Sequence, residues 1–166
     1  MKVAVEVKMK AEYIYDLLLF HTYSKFSGFM INLVGLTVII IGGWRLKSGE
    51  ITLAQCFVYL LVAALILSFT PFTLKMRSKK MMKNPKYKNV IQYSFDGNGI
   101  EEVIGEANNS YTWCQVQKAI ATPKDIAFYV GEDAALIVPK ESFGQNFMPV
   151  MKLIADNLTR DKIYIR

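Results

Sequence analysis

Histidine occurs once in these 166 residues and cysteine twice. That scarcity excludes most metal and redox chemistry, because zinc sites need clustered Cys and His ligands and disulfide frameworks need a spaced set of cysteines. Charge is sparse as well: Asp, Glu, Lys and Arg make up 20% of the chain, while 52% is hydrophobic. A disordered, collagen-like or nucleic-acid-coating protein is excluded by that balance. The length leaves room for one domain and a few additional helices.

Charge vanishes altogether from two stretches, Gly28 to Trp44 and Ile51 to Leu74. A hydrocarbon core of about 30 Å takes roughly 17–25 helical residues, and both stretches fall in that range. A buried helical hairpin of a soluble core normally shows a polar stripe, and these two segments show almost none. They read as membrane spans joined by the tight loop Arg45 to Glu50, a hairpin over residues 28–74. A cleaved signal peptide is excluded by position, since 27 residues interrupted by charges come first.

The basic character of the chain, +6 overall, is localised. Residues 1–74 are nearly balanced and the segment from Asn89 onward is acidic. Between them Lys75, Arg77, Lys79, Lys80, Lys83, Lys86 and Lys88 stand without a single acid. Nucleic-acid binding is thereby excluded, since the folded C-terminal part carries net negative charge. A basic collar over 75–88, directly after the second span, marks the cytoplasmic side and a surface for anionic lipids. Lys25 flanks the first span on that side, and only Arg45 and Lys47 lie near the loop. Both termini are therefore expected in the cytoplasm. Cys56, near the far end of the second span, and Cys114, in the C-terminal part, stand too far apart for a disulfide.

Within the hairpin Gly28, Asn32, Gly35 and Gly42 fall on one stripe of the first helix, and Ala54, Ala64, Ser68 and Pro71 punctuate the second. Pairing about a turn near residue 48 sets Gly42 against Ala54, Gly35 against Ala64 and Asn32 against Ser68. Small residues admit close helix approach, so this stripe is the expected packing seam. A solute path through Asn32 is the functional alternative, but two spans alone enclose no pore. Pro71 is expected to kink the second helix or mark its exit from the membrane.

After the collar the pattern changes to strands. Ile91, Tyr93 and Phe95 alternate with polar residues, and Asp96-Gly97-Asn98-Gly99 is a turn signal. Further strands are expected at Ile100 to Glu106, Tyr111 to Val116, Ile126 to Val130 and Ala135 to Val138, with a turn at Ala107-Asn108-Asn109. Phe147, Val150, Met151, Ile154 and Leu158 then mark one face of an amphipathic helix, with Pro149 in its first turn. Upstream, Val3, Val5 and Val7 alternate, so Lys2 to Met9 reads as a further strand. A short helix from Ala11 to about Tyr23 follows, within an N-terminal segment 1–27. The fold class is an α+β membrane protein: a transmembrane helical hairpin plus a small antiparallel sheet or partial barrel over 89–166, capped by a C-terminal helix.

The run Tyr93-Ser94-Phe95-Asp96-Gly97-Asn98-Gly99-Ile100, Trp113 with Val116, Phe128-Tyr129, and Ile137-Val138-Pro139-Lys140 with Phe143 resembles the YcxB-like proteins of bacteria. The resemblance implies a pleckstrin-homology-like (PH-like) C-terminal domain and a bacterial inner-membrane location. It brings no activity with it.

No catalytic set is found. His21, Thr22 and Tyr23 precede the first span, with no ligand or triad partner at suitable spacing. Glu101-Glu102 and Glu132-Asp133 read as solvated charges at strand and turn edges. Gly97-Asn98-Gly99 is too short for a phosphate loop and no helix follows it. Trp113 and Lys140 are the candidate partner surface; their plainer readings are a core aromatic and an edge-protecting lysine. No enzyme activity, cofactor or metal is expected. The reading is a non-catalytic binding module, anchored in the membrane and recruiting a protein at the cytoplasmic face. The alternative is a small subunit of a transport or envelope complex acting through its hairpin. Homo-oligomers are compatible with either.

Overall fold

The computed structural model of the chain describes residues 2–131 and 134–165. Glu132 and Asp133 lie outside the described residues. Two compact units are present, one formed by Met1–Leu17 with Ser78–Arg166, the other by Leu18–Arg77.

The first unit is built on two sheets. Strands β1 (Val3–Val7), β2 (Ile91–Phe95), β3 (Gly99–Ile104) and β4 (Ala107–Thr112) form an antiparallel meander in that order. Strands β5 (Val116–Ala121), β6 (Asp125–Val130) and β7 (Ala134–Pro139) form a second meander, which β8 (Ile163–Tyr164) joins in parallel beside β5. The N-terminal valines pair directly with the strand that follows the apolar region: Val3 lies opposite Phe95, Val5 opposite Tyr93 and Val7 opposite Ile91. All six side chains are buried, so the period-two alternation of both segments serves one core. Everything from α1 (Ala11–Tyr23) to α3 (Leu53–Met81) is thus an insertion between two paired strands. A boundary at residue 89 would leave β1 out of the unit to which it belongs.

The sheets meet through aromatics. Phe95 of β2 lies 5.5 Å from Phe128 of β6 and 6.2 Å from Phe143, ring centre to ring centre. Phe143 belongs to the short helix α4 (Lys140–Phe143) and meets Phe147 edge-on at 5.9 Å. Helix α5 (Phe147–Asn157) buries Val150 and Ile154, the face its periodicity marks.

Two boundaries differ from the sequence reading. The chain turns at Gly105, whose φ of +59° suits a residue without Cβ. Ala107-Asn108-Asn109 therefore opens β4 rather than forming a turn. The expected strand Tyr111 to Val116 is broken at Trp113–Gln115 by a single 3-10 turn, and β5 runs on to Ala121. The side chain of Gln115 accepts the Thr112 N–H at 2.9 Å, which bends the chain there.

The second unit carries α2 (Phe26–Lys47), with α3 entering from its N-terminal end. Gly28–Lys47 and Leu53–Met81 are long and apolar enough to cross a membrane, and little of either is buried within the chain. Helix α3 continues through Pro71 without interruption and spans about 43 Å at 1.5 Å per residue. It thereby carries the first basic residues of the collar on its last turns.

Candidate functional site

In the hairpin, Gly35 and Gly42 pack against large side chains rather than small ones. A Cβ on Gly35 would stand 2.6 Å from Leu67 Cδ2, and one on Gly42 would stand 2.8 Å from Tyr59 Cβ. The seam therefore lies farther along α3 than the expected pairing with Ala64 and Ala54, because α2 runs on past Trp44 to Lys47. Ala54, Ala64 and Ser68 are exposed and Asn32 is half-exposed, whereas Ala63 is wholly buried. Gly28 serves a different place: its missing Cβ makes room for the Thr22 carbonyl at the turn between α1 and α2. At the loop end Arg45 Nη1 donates to the Tyr59 hydroxyl at 3.1 Å, and Arg45 Nε lies 3.3 Å from Glu50.

The collar is not uniform. Lys75, Arg77, Lys79, Lys80, Lys83 and Lys88 are exposed, whereas Lys86 is drawn into the sheet unit. Its ammonium lies 3.0 Å from Glu102 Oε1, and the Glu102 side chain has no exposed surface. Glu102 also accepts from the Tyr93 hydroxyl at 3.1 Å and from Asn109 Nδ2 at 3.2 Å. Burial, reinforced by Glu102, pushes the Tyr93 phenol well above its ordinary range. The reading of Glu102 as a solvated edge charge is thus corrected: it is the acceptor that satisfies three donors. Lys86 is correspondingly engaged inside the unit.

A second ionic cluster holds the start of α1 on the sheets. Lys124, just before β6, donates through Nζ to Glu12 and through its backbone N–H to Asp16, each at 3.0 Å. On α4, Glu141 accepts from Lys10 at 3.0 Å and from the Tyr13 hydroxyl. These two bonds, Tyr13's the larger, hold the Glu141 carboxyl below the usual carboxylate range. Lys10, Glu12, Tyr13, Lys124 and Glu141 line a cleft of about 290 Å³. Lys124 of this lining directly precedes Asp125, which is completely buried.

Of the candidate partner surface, Trp113 is only 5% exposed and its indole N–H donates to the Asp96 carbonyl at 2.8 Å. It is a core residue tying the 3-10 turn to the β2–β3 hairpin, and it offers no stacking face. Lys140 is half-exposed at the start of α4, where its N–H donates to the Lys124 carbonyl at 2.9 Å. Lys118 lies 4.5 Å from the centre of the Tyr129 ring. Among the described residues, no group of three or more His, Cys, Asp or Glu side chains is placed to hold a metal. The sequence pattern puts Glu102 at a solvated edge and Asn109 in a turn, and it gives no sign of Asp16 or Asp125, because burial depends on residues distant in the chain.

Residues 95–148 match the family model described as YcxB-like protein. The match runs from the last residue of β2 into α5 and covers about a third of the chain. Comparison with curated proteins and with solved structures gives no match.

Proposed function

We propose that this chain is a membrane-anchored, non-catalytic binding module whose sheet unit is presented at the cytoplasmic face of a bacterial inner membrane to recruit a protein. The observation that carries the reading is the pairing of β1 with β2 across the inserted helices. A chain that leaves a folded unit and returns to the adjacent strand of the same sheet must cross a bilayer an even number of times. The two apolar helices supply two crossings. The exposed basic residues on the last turns of α3 and just after it favour the cytoplasm for the side of return, and with it both termini. They also suit anionic lipid head groups. A four-stranded meander, a three-stranded meander and a C-terminal helix fit a PH-like domain.

Two experiments test this. Single-cysteine variants Asn98→Cys and Ser48→Cys, with Cys56 and Cys114 replaced, are treated with an impermeant thiol reagent on intact cells. Labelling is expected at 48 and not at 98; the reverse overturns the topology. The α2–α3 hairpin is then exchanged for an unrelated two-span hairpin, and partners are crosslinked in native membranes. Partners retained by the exchanged chain support recruitment through the sheet unit, and partners lost with the hairpin overturn it.

A further inference from the structure

Asp125 opens β6 at a point where three elements meet. Its backbone is fully engaged: the N–H donates to Thr122 Oγ1 at 2.9 Å, and the carbonyl accepts from the Thr122 N–H at 2.9 Å. Its side chain is completely buried, and among the described residues no donor reaches either carboxylate oxygen. A buried carboxylate without donors is costly, whereas the neutral acid is tolerated. The surroundings sharpen that contrast. From α1, Asp16 reaches the backbone N–H of the preceding residue, Lys124, and Glu12 holds the Lys124 ammonium. From the β7–α4 side, Pro139 lies opposite Asp125 in the ladder, followed by Lys140 and Glu141.

We propose that Asp125 is a proton-binding site that governs how firmly α1 is held on the sheet unit, docked when the proton is bound and loosened when it is lost. The contacts that hold α1 converge on Lys124, which precedes this carboxyl in the chain, and on Glu141, two residues past its ladder partner Pro139. An added negative charge there opposes Asp16 and Glu141, while Lys124 and Lys140 compensate in part. Burial first, and Asp16 second, push the Asp125 carboxyl up to about 7. A folded-state value above the unfolded one means that the stabilisation is complete below the ordinary carboxyl range of about 4 and is lost as pH rises from there through the folded value of about 7. The site therefore switches within the pH range of a cytoplasm. The inference does not depend on membrane insertion, since Asp125 and the docking residues of α1 belong to one compact unit.

The test uses the full chain in detergent micelles. Hydrogen exchange of the Ala11–Leu17 amides, corrected for the chemical rate, is followed from pH 6 to pH 8. The opening constant is expected to rise roughly tenfold over that interval, the linkage of one proton with a midpoint near 7. In Asp125→Asn it should stay flat, below the value of the unaltered chain at pH 6. A flat profile in the unaltered chain, or an unchanged slope in Asp125→Asn, overturns the proposal. Should Asp125→Asn fail to fold, carbon NMR of the unaltered chain with labelled aspartate carboxyls decides the matter. One carboxyl titrating between pH 6 and 8, moved to lower pH by Asp16→Asn, supports the site; none titrating in that range overturns it.

Discussion

Lys86 and Glu102 form an ion pair at 3.0 Å in which one partner is about one-third exposed and the other completely buried. The pair fastens the segment after α3 to the middle of the first sheet. Removing the lysine leaves a buried carboxylate with only the Tyr93 hydroxyl and the Asn109 amide. Breaking a fully buried pair costs about 3–5 kcal/mol, and the partial exposure of Lys86 reduces that figure. Lys86→Met is expected to destabilise the sheet unit by about 2 kcal/mol, against less than about 0.5 kcal/mol for Lys83→Met on the exposed collar. Urea unfolding of the full chain, followed by the fluorescence of buried Trp113, measures both. Equal effects would dismiss the pair as a structural link.

The hairpin glycines should not be equivalent. Gly35 faces Cδ2 and Cγ of Leu67, a side chain that can rotate as a whole, whereas the nearest atom to Gly42 is Tyr59 Cβ, fixed to its backbone. Gly42→Ala is expected to cost about 1–3 kcal/mol through overpacking, and Gly35→Ala less. Ala64→Leu and Ser68→Leu project from exposed positions and should matter little. Thermal aggregation of the four variants in one detergent provides the ranking. Sensitivity at Ala64 with tolerance at Gly42 would restore the seam expected from small-residue pairing.

A fragment beginning at Asn89 is expected not to fold, because it lacks Val3, Val5, Val7 and Met9, all buried. Each such side chain contributes about 1.5–3 kcal/mol on burial, so their joint loss rivals the whole stability of a domain. Joining residues 1–17 through a flexible linker to residues 78–166 should restore a cooperative unfolding transition, read by circular dichroism. If residues 75–166 are used in that fusion, anionic liposomes should bind it in low salt and release it in high salt. Neutralising Lys79, Lys80 and Lys83 should abolish that binding. A cooperative transition from the fragment beginning at Asn89 would show β1 to be dispensable.

What could be read from the sequence follows from how local each signal is. Two uncharged runs of helical length announce two long apolar helices whatever surrounds them. The alternation of Ile91, Tyr93 and Phe95 likewise announces β2, and the spacing of Val150 and Ile154 announces α5. Strand β4 is hidden because Asn108, Asn109 and Ser110 have turn-forming side chains; only pairing with β3 makes them a strand. The start of β5 is hidden by a side-chain cap, although Thr112 and Gln115 stand at capping-box spacing. Glu102 and Asp125 are the hardest case. A carboxylate announces charge but not whether a lysine 16 residues upstream or a helix from the other end of the chain will enclose it.

The position of the hairpin between β1 and β2 also sets the order in which the protein can be made. β1 leaves the ribosome before either apolar helix, and its partner begins only at Ile91. At about 5–20 residues per second, several seconds separate the two strands. Throughout that interval the valine strand has no partner and its core does not exist. Closing the first sheet therefore requires that both helices have already been made and that the chain has come back to where it started. With the two helices spanning a bilayer as proposed, a nascent chain that inserted one but not the other would leave β1 and β2 on opposite sides. Such a product would never complete its core, and under the proposed topology the folded sheet would itself be the record of correct insertion.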